Sequence, residues 1–266
     1  MESADESPVQ LVRPDAIGPF VFVCEHASNR IPASYNNLGV NEAVRMSHAA
    51  WDIGALELSQ NLSQRFDSPL IASTVSRLVY DCNRAPDSAT AIVERSEDDI
   101  VPANLDLSDE QRRQRVSSVY QPFADQLSAL LEHRSVQSTE TILVTVHSFT
   151  PSLRGQSRQV QIGVLHDADS RFADDMLGIA KQQSRYVVER NQPYGPDDDV
   201  THTLTKHALP RGLRNVMLEV RNDLLQDTAG IMIMGDMLFS TLNNALLPSE
   251  SNPGVVHSNE SNTGRT

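Results

Sequence analysis

Pro19-Phe20-Val21-Phe22-Val23-Cys24-Glu25-His26-Ala27-Ser28-Asn29-Arg30-Ile31-Pro32 begins as an apolar run and breaks off into a polar loop. A run of strand length that is apolar at every position, Phe20 to Cys24, predicts a strand buried on both faces, as in the middle of a parallel sheet. Ligands in open α/β sheets bind just beyond the carboxyl ends of such strands. Glu25, His26, Asn29 and Arg30 fall there. The design recurs where Thr141-Ile142-Leu143-Val144-Thr145-Val146 runs into His147-Ser148, and where Asn215-Val216-Met217-Leu218 runs into Glu219-Val220-Arg221. These strands are expected to deliver His26, His147 and Glu219 to one rim.

Outward from that first strand, the chain alternates strand and helix signals. Asn41 to Phe66 carries apolar residues at helical spacing, with a break near Asp52-Ile53-Gly54. Pro69 to Thr74 predicts a short strand, followed by the polar-rich Arg77 to Arg84. Ala85 to Leu107 has no clear period and is expected to be a long loop. Ser108 is placed as an N-cap with Gln111 three positions on, opening a helix to about His133 with a bend at Pro122. Further strands are expected at Gln161 to Leu165 and Tyr186 to Glu189. Helices are expected at Arg171 to Gln183, Thr203 to Ala208 and Asp227 to Leu247, and Asn191 to Asp199 is a turn-rich loop. The alternation predicts a layered α/β domain with a mainly parallel, mixed sheet over residues 11–247. Residues 1–10 are expected to fray and residues 248–266, rich in Ser, Asn, Gly and Pro, to be a disordered tail.

A chain of 266 residues can bury one large core. Its 22 basic and 35 acidic residues give a net charge of −13, which argues against nucleic acid or an anionic membrane surface as partner. A small anionic substrate stays compatible with that balance, because local arginines can reverse the sign inside a cleft. Cys24 and Cys82 do not make a disulfide framework, and a reducing cytoplasm is the expected compartment. No apolar stretch is long enough for a membrane span, and the acidic, polar N-terminus does not read as a signal peptide. The sequence leaves the oligomeric state open.

Two strand-end histidines and a strand-end carboxylate suit a catalytic zinc site, because zinc takes histidine nitrogen and carboxylate oxygen. By pattern alone, buried structural histidines fit as well. There is no His-Glu-x-x-His run, no Gly-rich phosphate loop and no Gly-x-Ser-x-Gly elbow. His166, His202 and His207 are expected in structural or supporting places, and the basic stretch Arg154 to Arg158 as a solvated loop.

Several motifs in order carry a resemblance. They are Cys24 to Pro32, Trp51-Asp52-Ile53-Gly54-Ala55, Ser76 to Arg84, Val146-His147-Ser148-Phe149, Asn191-Gln192-Pro193-Tyr194 and Leu218 to Leu224. As an ordered set the chain resembles the N-formylglutamate amidohydrolase family over roughly Gly18 to Leu247. That family is similar in fold to the zinc carboxypeptidases and zinc-dependent acylases. The resemblance implies a three-layer, zinc-carboxypeptidase-like domain with His26 and His147 as metal ligands and Glu219 as the catalytic acid–base. Asp81-Cys82-Asn83-Arg84 resembles the stretch whose Asn-Arg pair grips a substrate carboxylate, a task suited to the guanidinium fork.

The departure is at Asn29, where the carboxypeptidase pattern has a glutamate ligand. Asp52 is taken as the third ligand, with Glu25, His48 and Asn29 as rivals. Arg77 is expected to polarise the scissile carbonyl or else to pair with Asp81. Arg221 is expected to bind a substrate carboxylate or to brace Glu219, and Tyr194 to close over the substrate or else to serve in packing. The resemblance thus implies zinc, or another divalent metal, and a small anionic N-acyl amino acid resembling N-formylglutamate. The alternatives are a metallopeptidase or another N-acylase on the same site, and a non-catalytic carboxylate-binding protein.

Overall fold

The computed structural model describes residues 7–96 and 98–247. The expected tail, 248–266, lies outside the described residues. One seven-stranded mixed sheet forms the centre. Its strands are β1 (Val9–Val12), β2 (Phe20–Cys24), β3 (Leu70–Ser73), β4 (Ile142–Phe149), β5 (Ile162–Leu165), β6 (Val188–Arg190) and β7 (Asn215–Arg221). They lie in the order β1-β3-β2-β4-β7-β5-β6. β3, β2, β4 and β7 are parallel neighbours. β1 joins β3 antiparallel, β5 joins β7 antiparallel, and β6 runs parallel to β5.

Alternation along the central strands feeds two separate cores. Phe20, Phe22 and Cys24 of β2, Ile142, Val144 and Val146 of β4, and Val216, Leu218 and Val220 of β7 belong to one. They pack with Leu58 and Leu62 of helix α2 (Ala55–Arg65), Phe172 and Met176 of α5 (Arg171–Gln183), and Met234, Leu238 and Leu242 of α6 (Thr228–Leu246). Val21, Val23, Leu143 and Met217 point the other way, toward Phe123 and Leu127 of helix α4 (Gln121–Val136) and toward Leu204. Each such buried Phe, Leu, Val or Met side chain contributes about 1.5–3 kcal/mol. The result is the expected single α/β domain, with a mostly parallel central sheet flanked by helices. Among the described residues no helix is long and apolar enough to cross a membrane.

Three boundaries differ from expectation. β1 starts at Val9, inside the stretch expected to fray. It is an edge strand, half-buried, so it carries no continuous apolar run. The helix expected from Ser108 to His133 is divided: α3 (Asp109–Arg115), a wide turn over Val116–Tyr120, then α4. Pro122 lacks an N–H and crowds the carbonyl four residues back, and the wider turn relieves both defects. Ser108 and Gln111 form the expected reciprocal cap. The break before α2 separates it from the short α1 (Glu42–Met46), and Gly54 caps α2 with φ +80°. A Cβ at Gly54 would lie 2.5 Å from Leu225 Cβ, so both conformation and space call for glycine.

Candidate active site

The chain leaves β2 toward β3 on one side, while from β4 it continues to β5 on the other, beyond β7. The strand order therefore reverses between β2 and β4, the place where open α/β sheets form their crevice. His26 lies two residues beyond the end of β2, and His147 lies in β4. Strand alternation puts His147 and Glu219 on the same face as Leu143, Thr145 and Met217. Glu219 of β7 is in register with His147. Val23 of β2 is in register with Thr145, which brings Glu25 to the level of His147 on the other side. Asp52 arrives on the loop before α2. Its N–H donates to the His26 carbonyl (2.9 Å), and its carbonyl accepts from Ala55 N–H (3.1 Å).

The side chains converge. His26 Nδ1 and His147 Nδ1 lie 3.2 Å apart, and Asp52 Oδ2 is 3.2 Å from the first and 2.9 Å from the second. All three residues are buried. Each imidazole has its other nitrogen on a carboxylate: His26 Nε2 is 2.6 Å from Asp81 Oδ1, and His147 Nε2 is 3.1 Å from Glu25 Oε2. The remaining Asp52 oxygen forms an ion pair with Arg77 Nη1 at 3.0 Å and lies 3.6 Å from His48 Nδ1. Arg77 also donates to the carbonyls of Ala49 (3.1 Å) and His48. It is Asp52, not Asp81, that pairs with Arg77.

The charges follow from these contacts. Burial opposes ionisation of Asp52, yet Arg77 and the imidazoles hold its carboxyl well below the usual range. Burial would lower both histidines, but the carboxylates of Asp81 and Asp52 raise His26, and Glu25 with Asp52 raises His147 further. Burial beside Arg77 keeps His48 neutral, with its pKa lowered to about 3. Glu219 behaves oppositely to its neighbours. Burial, with the Asp52 charge adding to it, raises its pKa to about 7 despite the pull of His147. Its Oε2 is buried without a hydrogen-bond partner.

A cavity of about 400 Å³ opens over the cluster. His26, Asp52, His147 and Glu219 line it, together with Arg77, Asn83, Arg84 and Tyr194. Asn83 is committed to the wall: its amide donates to the Val200 carbonyl (2.6 Å) and accepts from Thr203 N–H (3.0 Å). Arg84 donates one N–H to the Asp198 carbonyl (3.1 Å). Arg221 does not line the cavity. Its Nε and Nη2 lie on Asp223, at 2.8 and 3.1 Å, and its Nη1 donates to the Arg158 carbonyl. Asn29 contacts the Met46 sulfur, away from the cluster. Arg158 is not simply solvated. Its guanidinium lies over the Phe149 and Tyr194 rings and donates to the Tyr194 hydroxyl (2.8 Å). Nothing in the sequence singles out that contact.

His26, Asp52 and His147 fit a divalent ion. In a tetrahedral zinc site with bonds of about 2.0–2.1 Å, ligand atoms stand about 3.3 Å apart. The observed separations of 2.9–3.2 Å nearly match that spacing. Both imidazoles present Nδ1 inward while a carboxylate holds Nε2, the usual support of a metal-bound histidine. The excess of buried carboxylates also favours a cation.

An α/β domain with a buried His–Asp–His cluster at the switch point of its sheet is the framework of a metal-dependent hydrolase. The sequence profile of N-formylglutamate amidohydrolase matches residues 18–226, and the chain belongs to that family. The gene product Atu2144 from Agrobacterium tumefaciens is 45% identical, with a TM-score of 0.89 over 91% of this chain and 95% of that one. N-formylglutamate amidohydrolase from Ralstonia eutropha JMP134 shares the fold at 16% identity, with a TM-score of 0.71 over 91% of this chain and 98% of that one. No curated protein matches the chain.

Proposed function

We propose that this protein hydrolyses the amide bond of a small anionic N-acyl amino acid, with N-formylglutamate as the leading substrate and formate and glutamate as products. The observation that carries this reading is the convergence of His26 Nδ1, His147 Nδ1 and Asp52 Oδ2 beside the partnerless carboxyl of Glu219. Zinc, or another divalent ion, held by those three residues would polarise the amide carbonyl and make a water molecule more acidic.

The protein's own residues divide the remaining work. Glu219 accepts the proton of the attacking water and returns it to the leaving amine, for which a pKa near neutrality is suited. Arg77 keeps Asp52 ionised and in place, and is positioned at the cavity wall to steady negative charge developing on the carbonyl oxygen. Arg84 meets the substrate carboxylate. Asn83 shapes that subsite by holding the segment from Val200 to Thr203. Tyr194, fixed by Arg158, forms the opposite wall.

Metal analysis of protein purified without chelator, followed by a panel of N-acyl amino acids, tests the proposal. Stoichiometric metal with turnover of N-formylglutamate is expected. Preference for a larger acyl group or a peptide would move the chain to another N-acylase or a metallopeptidase. Carboxylate binding without turnover of any substrate in the panel would make it a binding protein.

A further inference from the structure

Glu25 is a buried charge with no part in the steps above. It follows the last residue of β2 and is 1% exposed, with no access to the cavity. Its Oε2 forms an ion pair with His147 Nε2 at 3.1 Å, and neither oxygen makes a hydrogen bond of good geometry. A carboxylate removed this fully from water destabilises the fold unless a charge or hydrogen bond compensates it. Here the compensation comes chiefly from the His147 imidazole, with nearby Thr203 and His26 adding to it. Its oxygens lie behind that ring, on the side away from the Nδ1 atoms, so Glu25 does not belong to the set of atoms that converge on one point.

We infer that Glu25 is a positioning residue for the metal centre. It holds the His147 proton on Nε2, so the Nδ1 lone pair faces the point shared with His26 and Asp52. The inference rests on the metal reading given above. Strand pairing fixes the approach, because Glu25 directly follows β2, which pairs in parallel with the β4 strand of His147 up to Val23 and Thr145. Without the carboxylate, the imidazole can place its proton on Nδ1, which then cannot bind a cation. The negative charge adds to the effect by making the ring a stronger donor to the metal.

The test combines zinc titration against a competing chelator with ¹⁵N spectra of the histidine rings in the zinc-loaded protein. In the zinc-loaded wild type the single His147 proton is expected on Nε2. Glu25→Ala is expected to weaken zinc binding about 10–100-fold, the usual effect of losing such a partner. Glu25→Gln is expected to lose less, because its amide oxygen still accepts from Nε2–H. A wild-type protein that takes up no zinc would sink the metal reading itself. A wild type that binds zinc while Glu25→Ala binds within twofold of it would sink only the role of Glu25. If Glu25→Ala fails to fold, the zinc-loaded wild-type spectrum decides: zinc on Nε2 with the His147 proton on Nδ1 overturns the inference.

Discussion

Replacing Glu219 by glutamine keeps the shape of the side chain and removes its ability to take a proton. If Glu219 is the general base, turnover should fall by about 100-fold or more, equivalent to about 2.7 kcal/mol of barrier. KM and metal content should stay close to wild type, because the lost interaction exists mainly in the transition state. The structure adds an opposite effect on stability. Holding a carboxyl at about 7 rather than its ordinary 4.5 corresponds to about 3 kcal/mol against the ionised form. A raised carboxyl favours the fold below the unfolded value, and that advantage is lost as pH rises through the folded one. In metal-free protein the glutamine variant should therefore match wild type below pH 4.5 and exceed it by up to about 3 kcal/mol at pH 8. That is roughly 5–10 °C in a chain of this size. A bound cation should narrow the gap by favouring the anion. Steady-state kinetics, metal analysis and thermal melting at pH 4 and pH 8 read all three quantities. Near wild-type kcat would rule out the mechanism. Loss of metal would make Glu219 a ligand, and a rise in KM alone would make it a bracing group.

His26→Ala and His147→Ala should each lower metal occupancy and activity together; full metal and full turnover in both would place the site elsewhere. Asp52→Ala should weaken metal binding at least tenfold, while Asn29→Ala, whose amide sits on the Met46 sulfur, should change it little. Equal losses in a metal titration would return Asn29 to the ligand set. Gly54→Ala should destabilise the protein by about 2 kcal/mol or more, through its φ of +80° and the contact with Leu225, and should also weaken metal binding by displacing Asp52. A denaturant midpoint equal to wild type would refute the strain argument.

The central strands were legible because β2, β4 and β7 are buried on both faces and so read as continuous apolar runs. The edges were not, since β1 and β6 are short and half-exposed and their pairing depends on a neighbour that local sequence does not reveal. His26 and His147 could be found from strand ends alone. Asp52 needed the family resemblance, because its place is set by one backbone hydrogen bond to a loop 26 residues earlier. The pairings Asp81–His26 and Glu25–His147 depend on loop packing and strand register, which a linear pattern does not encode. Arg221 shows the reverse case. It follows a strand-end glutamate as a substrate-binding arginine would, but Asp223, two residues on, takes its guanidinium through two hydrogen bonds.

Register also explains how two glutamates at one level of the sheet come to opposite states. Glu25, His147 and Glu219 form a row across β2, β4 and β7. Both glutamates are buried and both feel His147, so neither residue type nor depth separates them. Burial opposes ionisation of Glu25, but the His147 imidazole at its Oε2, with Thr203 and His26, outweighs burial and lowers its pKa. Glu219 has no such partner and lines the same cavity as the charged Asp52. One carboxylate is thereby fixed as an anion, and the other is left able to exchange a proton near neutral pH. A slip of one residue in β7 would turn Glu219 into the core beneath α2 and α6 and set Val220 over the cluster. The seven paired residues of β7 along β4 make that slip costly, so the extent of the pairing protects the chemistry as well as the fold.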